Sequence, residues 1–309
     1  MSKFEPKVSI IINCHNGEEF LKETLESINN QTYNDYEIVF YDNVSNDRTA
    51  EIAKEYGKNL NYHRSDTFLA LGAARNEAIK LAKGKYIAFL DSDDLWDSDK
   101  LIKQVAILDA RQDIGLVMCN FRTYNMMRNQ LQDVEIKKDT VFEFDSFVLN
   151  YAFALSTFLV RKSCFEELPM IFDERLHYAE EYDLFSRISY KWKSYYIGIP
   201  LTTRRMHEKM NSIKLAERIP VEHQMTLDNL RAYISNFDVL FPNIVRKISY
   251  LRDYMDAKAH FSEYKNKKIR KMMIPYIWNE KRAFEYFVIA LLPQKFSDLI
   301  IQKIYKNHI

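Results

Sequence analysis

Apolar and polar positions alternate along the start of the chain in two different periods. Val8 to Ile12 is a short β-branched run, as in a strand buried on both faces, and it stops at the polar Asn13-Cys14-His15-Asn16. Phe20, Leu21, Thr24, Leu25 and Ile28 then recur on one helical face. That makes Asn16 the expected N-cap and puts Glu18 and Glu19 in the first turn. Tyr36 to Tyr41 reads as the second strand and stops at Asp42, and the polar turn Asn43 to Asp47 leads into a helix closed by Gly57. Asn61 to Arg64 is a weaker strand. Leu71, Ala74, Ala78, Leu81 and Ala82 form the next amphipathic helix, stopped by Gly84. Tyr86 to Leu90 is a buried strand ending at Asp91-Ser92-Asp93-Asp94. Ser98 is expected to cap a helix with Leu101, Ile102, Val105 and Leu108 inward, before a strand at Gly115 to Cys119.

Strands and helices alternating at this spacing predict an α/β fold with a mostly parallel, doubly wound sheet. Such sheets bind ligands at the carboxyl ends of their strands, where strand order reverses. Asn13–Asn16, Asp42 and Asp91–Asp94 each follow a strand directly, so they can converge on one edge. The middle of the chain is mixed. Val141 to Phe144 alternates like a strand, Ser156 to Arg161 reads as strand then turn, Glu180 to Lys191 as helix and Tyr195 to Ile199 as strand. Beyond Gly198 there is no glycine, and segments near Val221–Phe237, Ile244–Tyr264 and Ala283–Leu292 read as helices punctuated by prolines. The expected organisation is an α/β domain over 1–212 and a helical, basic C-terminal region over 213–309, with the boundary near Met210–Pro220.

Composition narrows the chemistry. The 309 residues contain only six glycines, no two within ten positions of each other. This excludes the clustered-glycine phosphate loops, GxGxxG and GxxxxGK[ST]. If a nucleotide binds, side chains and a metal must hold its phosphates. Formal net charge is +1, so no bulk field draws the molecule to nucleic acid, and none is expected as a partner. Cys14, Cys119 and Cys164 are odd in number and far apart, which suits a reducing compartment. The N-terminal apolar run is short for a signal peptide, and Tyr286–Leu292 is short for a membrane span. The expectation is a cytoplasmic protein, soluble or peripheral at the inner face of the membrane.

The strongest chemical element is FLDSDDLW, residues 89 to 96. Two aspartates in D-x-D spacing after a buried strand offer hard oxygen ligands for Mg²⁺ or Mn²⁺, cations that share substrate phosphates. The same spacing can also simply end a strand. A dehalogenase-type phosphatase uses D-x-D too, but usually on its first strand, whereas this motif follows at least two strand–helix units.

Taken together, VSIIINCHNGEEFLKETLESINNQTYNDYEIVFYDNVSNDRT, GAARNEAIKLAKGKYIAFLDSDDLW and FDERLHYAEEYDLFSRI resemble the family 2 glycosyltransferases, inverting enzymes with the GT-A fold, of bacterial surface-polysaccharide type. The resemblance covers about residues 7 to 210. It implies that Asn13, His15 and Asn16 begin the nucleotide pocket and that Asp42 holds the base. Arg75 and Asn76 are then expected near the nucleotide. Asp91 would contact ribose or metal, and Asp93 would bind the metal with His207. Arg204 and Arg205 would approach the diphosphate. The base on the acceptor would be Glu181, with Glu180 as the alternative. The implied partners are a nucleotide-sugar donor, a UDP-sugar above all, and a saccharide or lipid-linked saccharide acceptor. The chemistry agrees: one in-line displacement needs a carboxylate base and charge neutralisation at the leaving diphosphate.

Departures from the family pattern matter. Asn13 stands for the usual Pro and His15 for the usual aromatic. Val44 replaces a glycine and does not readily take positive φ, so that turn is expected to differ. Glu181 stands for Asp, reaching about 1.5 Å further, and Asp183 is expected to pair with Arg187. A non-catalytic partner that kept the fold is the alternative; a nucleotidyltransferase would usually carry a glycine-rich N-terminal loop. Residues 265–309 hold ten cations and three anions, a net +7, interleaved with aromatic and aliphatic residues. They suit either an anionic membrane face or a packed helical subdomain.

Overall fold

The computed structural model describes residues 5–57, 59–132, 134–210, 216–261, 263–264 and 266–306. The chain divides into two compact units, Met1–Ile213 and Lys214–Ile309. Residues 211–215, inside the expected boundary, and Lys265 and 307–309, inside the basic tail, lie outside the described residues.

In the first unit the chain runs β1 (Val8–Cys14), α1 (Leu21–Asn29), β2 (Tyr36–Asp42), α2 (Thr49–Glu55), β3 (Leu60–Arg64), α3 (Leu71–Leu81) and β4 (Tyr86–Phe89). It continues through β5 (Leu95–Trp96), α4 (Lys100–Ala110), β6 (Ile114–Asn125), β7 (Gln130–Gln132), β8 (Thr140–Phe142) and α5 (Phe144–Leu149). β9 (Leu159–Arg161), α6 (Ser163–Glu166), α7 (Glu180–Ser189) and β10 (Lys193–Met206) complete it. The sheet order is β3-β2-β1-β4-β9-β6-β10-β5. β3, β2, β1 and β4 are parallel, the doubly wound part, and order reverses at β1. β9 is antiparallel to both β4 and β6, and β10 is parallel to β6. Two reversals restore the direction, so β10 ends on the same edge as β1, β2 and β4. That brings Arg204–His207 to the predicted ligand edge. The core is built from Val8, Ile10, Ile12, Ile38, Phe40 and Ala88 on the strands and Leu21, Leu25, Leu101 and Leu108 on the helices.

Several local expectations change. α1 begins at Leu21, not after Asn16; Asn16 has φ 55°, and the Gly17 carbonyl receives the Phe20 and Leu21 amides. Asn16 therefore shapes a turn and caps nothing. No side-chain cap by Ser98 forms at α4 either, and Ile102 is 44% exposed. The inward place goes to Lys100, fully buried over the Trp96 ring and donating to Gln104, with burial lowering its ammonium to about 8. β10 runs well past Ile199, because register shifts around Pro200 absorb the residues that looked like a stop. Gly198 is obligatory within it: a Cβ there would run into the Lys137 carbonyl.

The second unit is helical, with helices Ile219–Tyr233, Phe237–Leu240, Pro242–Ala259, Asn266–Met273, Lys281–Ile289 and Gln294–Lys306. Its core includes Tyr250, Tyr254, Phe261, Ile269, Met273 and Tyr286. Among the described residues, no helix is long and apolar enough to cross a membrane.

Candidate active site

The ends of β2 and β3 build a slot. The register sets Arg64 opposite Asp42 and Tyr62 opposite Phe40, so both side chains reach one carboxylate. Asp42 is fully buried. Its Oδ1 accepts the Ser45 amide at 2.7 Å, and its Oδ2 accepts the Tyr62 hydroxyl and the Arg64 guanidinium, the latter at 2.8 Å. Burial alone would raise this carboxyl, but the hydrogen bonds from Ser45 and Tyr62 and the charge of Arg64 hold it below the usual range. Asp42 thus has no exposed oxygen; Arg64, 44% exposed beside it, presents the polar edge of the slot.

The turn after β2 corrects one expectation. Val44 does adopt positive φ, 62°. The strain, about 1–3 kcal/mol, is imposed by bonds on both sides. The Asn43 amide exchanges two hydrogen bonds with the Leu69 backbone, Arg64 donates to the Ser45 carbonyl, and Ser45 Oγ accepts the Asn16 amide. The same bonds carry Phe68, 64% exposed, to the ring of His15 at 4.9 Å, edge to face. His15 Nδ1 lies 2.8 Å from the Asn43 carbonyl, which can only accept, so that nitrogen carries a proton. Asn13, at the end of β1, has a buried Nδ2 with no partner.

Across the edge, between β4, α7 and β10, lies a carboxylate cleft. Arg75 of α3 is buried and donates to Asp91 Oδ1 at 3.1 Å and to Glu180 Oε1 at 2.8 Å. Glu180 is buried with Oε2 unpartnered. Glu181, half-buried in the first turn of α7, has no hydrogen-bond partner among the described residues. Burial and then the charge of Glu180 push its carboxyl up to about 8, against the pull of Arg75. Asp183 pairs with Arg187 at 2.7 Å, as expected. Asp93 Oδ2 lies 2.9 Å from His207 Nε2, whose Nδ1 is buried without a partner. Asp94 is buried, accepting from the Ser156 hydroxyl and the Arg205 amide, and burial with Asp93 and Asp91 nearby raises its carboxyl.

Two of the expected nucleotide or phosphate residues, Asn76 and Arg205, are bonded within the protein. Asn76 spends both ends of its amide on the Phe172 backbone and donates also to Glu174. Arg204 and Arg205 point to opposite sides of β10, as neighbours in a strand must. Arg204 lies near enough to Asp91 and Glu181 for its charge to oppose the rise that burial imposes on both carboxyls. Arg205 is buried against α1, donating to Glu23, Thr24 and the carbonyls of Phe20 and Asp93. Four of its five N–H donors are taken up by the protein. Tyr62, Arg64 and Phe68 join the site beyond the expected residues; the alternation of Tyr62 and Arg64 opposite a strand ending in Asp42 is their signal in the sequence.

A model of the family described as Glycosyl transferase family 2 matches residues 9–168. An uncharacterised glycosyltransferase of Methanocaldococcus jannaschii is 31% identical over 189 residues, 59% of this chain and 64% of that protein, so the chain spans under two thirds of that relative. Among solved structures, S. aureus TarS 1–349 in complex with UDP-GlcNAc superposes with TM-score 0.71 at 17% identity, covering 92% of this chain and 90% of that one. The mannosyltransferase PcManGT from Pyrobaculum calidifontis in complex with GDP-Man and Mn²⁺ gives TM-score 0.62 at 16% identity, covering 98% and 87%. The fold is that of the GT-A glycosyltransferases.

Proposed function

The chain belongs to glycosyl transferase family 2, and from that premise we propose that it moves one sugar from a nucleotide-diphosphate sugar, a UDP-sugar first of all, to a saccharide or lipid-linked saccharide, inverting the anomeric carbon. The observation that carries this is Glu181: an unpartnered carboxylate raised to about 8, beside a cationic Arg204, at the ligand edge of the sheet. A base needs a pKa near working pH and a free oxygen, and Glu181 has both. It takes the proton of the acceptor hydroxyl as that oxygen bonds to the anomeric carbon. The bond from that carbon to the diphosphate breaks, and its electron pair leaves with the phosphate, beside Arg204. Glu180 holds Arg75, which in turn orients Asp91.

The nucleobase lies, in this reading, against Phe68 and His15, with Arg64 as donor and Asp42 fixing Arg64. PcManGT was solved with Mn²⁺. Among the described residues no three His, Cys, Asp or Glu side chains form a metal cluster here. Asp93 and His207 nevertheless fit a hard cation that takes its remaining ligands from phosphates and water, with Asp91 close by. Mg²⁺ or Mn²⁺, when bound, would neutralise diphosphate charge. Transfer assays across UDP- and GDP-sugars, with the product anomer read by NMR, test the reading. A wild type that binds nucleotide yet is as inert as Glu181→Gln would make the chain a non-catalytic binding partner instead.

A further inference from the structure

The last two helices of the C-terminal unit each bury one face and leave large apolar side chains exposed on another. In the Lys281–Ile289 helix, Ala283 and Tyr286 pack inward, while Phe284 and Val288, one turn apart on another face, are 52% and 42% exposed. In the Gln294–Lys306 helix, Ser297 and Ile301 are buried, while Phe296 and Leu299 are 61% and 63% exposed. Leu291, in the turn between the helices, is 58% exposed, and Trp278 just before them is 89% exposed. Inward residues satisfy the core; the outward set repeats at helical spacing and is left uncovered among the described residues. Soluble surfaces seldom carry large apolar side chains at this density.

The surrounding charge selects the occupant. Exposed Lys267, Lys268 and Lys271 stand on the preceding Asn266–Met273 helix, and Lys281, Arg282 and Lys295 on the last two. Of the anions nearby, Glu280 already pairs with Lys247 and Glu285 lies 3.9 Å from Lys281. Residues 265–309 carry a net +7, so the remainder of the chain is −6. A second copy would set this cationic segment against itself, and nucleic acid has no use for an outward apolar stripe. We propose that the surface from Lys267 to Leu299 lies in the headgroup region of an anionic membrane, its apolar side chains entering the boundary and its lysines meeting lipid phosphates. This stands apart from the transferase reading.

The test uses the full chain and vesicles of phosphatidylcholine with or without phosphatidylglycerol. Co-sedimentation with the anionic vesicles, weakened by salt, is expected. The double variant Phe296→Ser/Leu299→Ser should lose roughly tenfold or more of that partitioning, with unchanged far-UV spectrum and Tm because both side chains are already exposed. Lys267→Glu/Lys268→Glu should weaken binding on the anionic vesicles. Unchanged partitioning of the serine variant overturns the proposal. So does a wild type that ignores vesicles but is dimeric by light scattering and becomes monomeric on the same substitutions.

Discussion

The slot at the ends of β2 and β3 and the cleft between β4, α7 and β10 share one sheet edge and one chemistry, carboxylates beside arginines. They behave oppositely. In the slot, Asp42 receives three donors and titrates low despite complete burial. In the cleft, Arg75 is divided between Asp91 and Glu180, which leaves Glu180 Oε2 and the whole Glu181 carboxylate without a donor, and Glu181 rises to about 8. A satisfied carboxylate fixes the shape of a pocket. One left short of donors in a crowded site keeps its basicity, which is what proton abstraction requires.

Glu181→Gln attacks this contrast most directly, and should lower kcat by about 10²–10⁴-fold with the fold intact. Because Glu181 holds its proton up to about pH 8, the basic form appears only as pH rises through that value. Wild-type kcat/KM should therefore climb with pH and level off above it, and persistence of that limb in the Gln variant would place the base elsewhere. The two arginines of β10 come next. Arg205→Met should cost about 2–4 kcal/mol in urea unfolding, since it strips donors from buried carbonyls, and Arg204→Met should leave the urea midpoint nearly unchanged while lowering kcat.

Asp42→Asn tests the saturated side, with an expected loss of about 2 kcal/mol at pH 7. The native carboxyl titrates below its unfolded value, so its stabilisation is full above the ordinary carboxylate range and disappears as pH falls through the depressed native value. Unfolding curves of wild type and variant should therefore approach each other in acid. The smallest effect is at Val44, where Asn tolerates positive φ: Val44→Asn should raise stability by about 0.5–1 kcal/mol, and a drop in Tm would show that Val44 packing outweighs its strain.

Much of this edge was legible in the sequence. Strand ends at Asp42 and at Asp91–Asp94 followed from β-branched runs meeting polar residues, and the strand–helix alternation set them on one side. Asp183 with Arg187 was readable from helical spacing alone. What the local sequence does not disclose is tertiary. Nothing near Asn76 reveals the Phe172 backbone, 96 positions away, that takes up its amide. Val44 looked unable to take positive φ because the bonds that force it come from Leu69, Arg64 and Asn16.

Strand alternation already dictated that Arg204 and Arg205 face opposite ways. Which of them faced the cleft was decided only when β10 paired with β6 and the second arginine met α1. Local pattern fixes periodicity, and hence elements and faces, because it depends on neighbours a few residues apart. The partner of a charge, and so whether a carboxylate becomes scaffold or base, depends on residues brought together from across the chain, and only the folded sheet edge decides that.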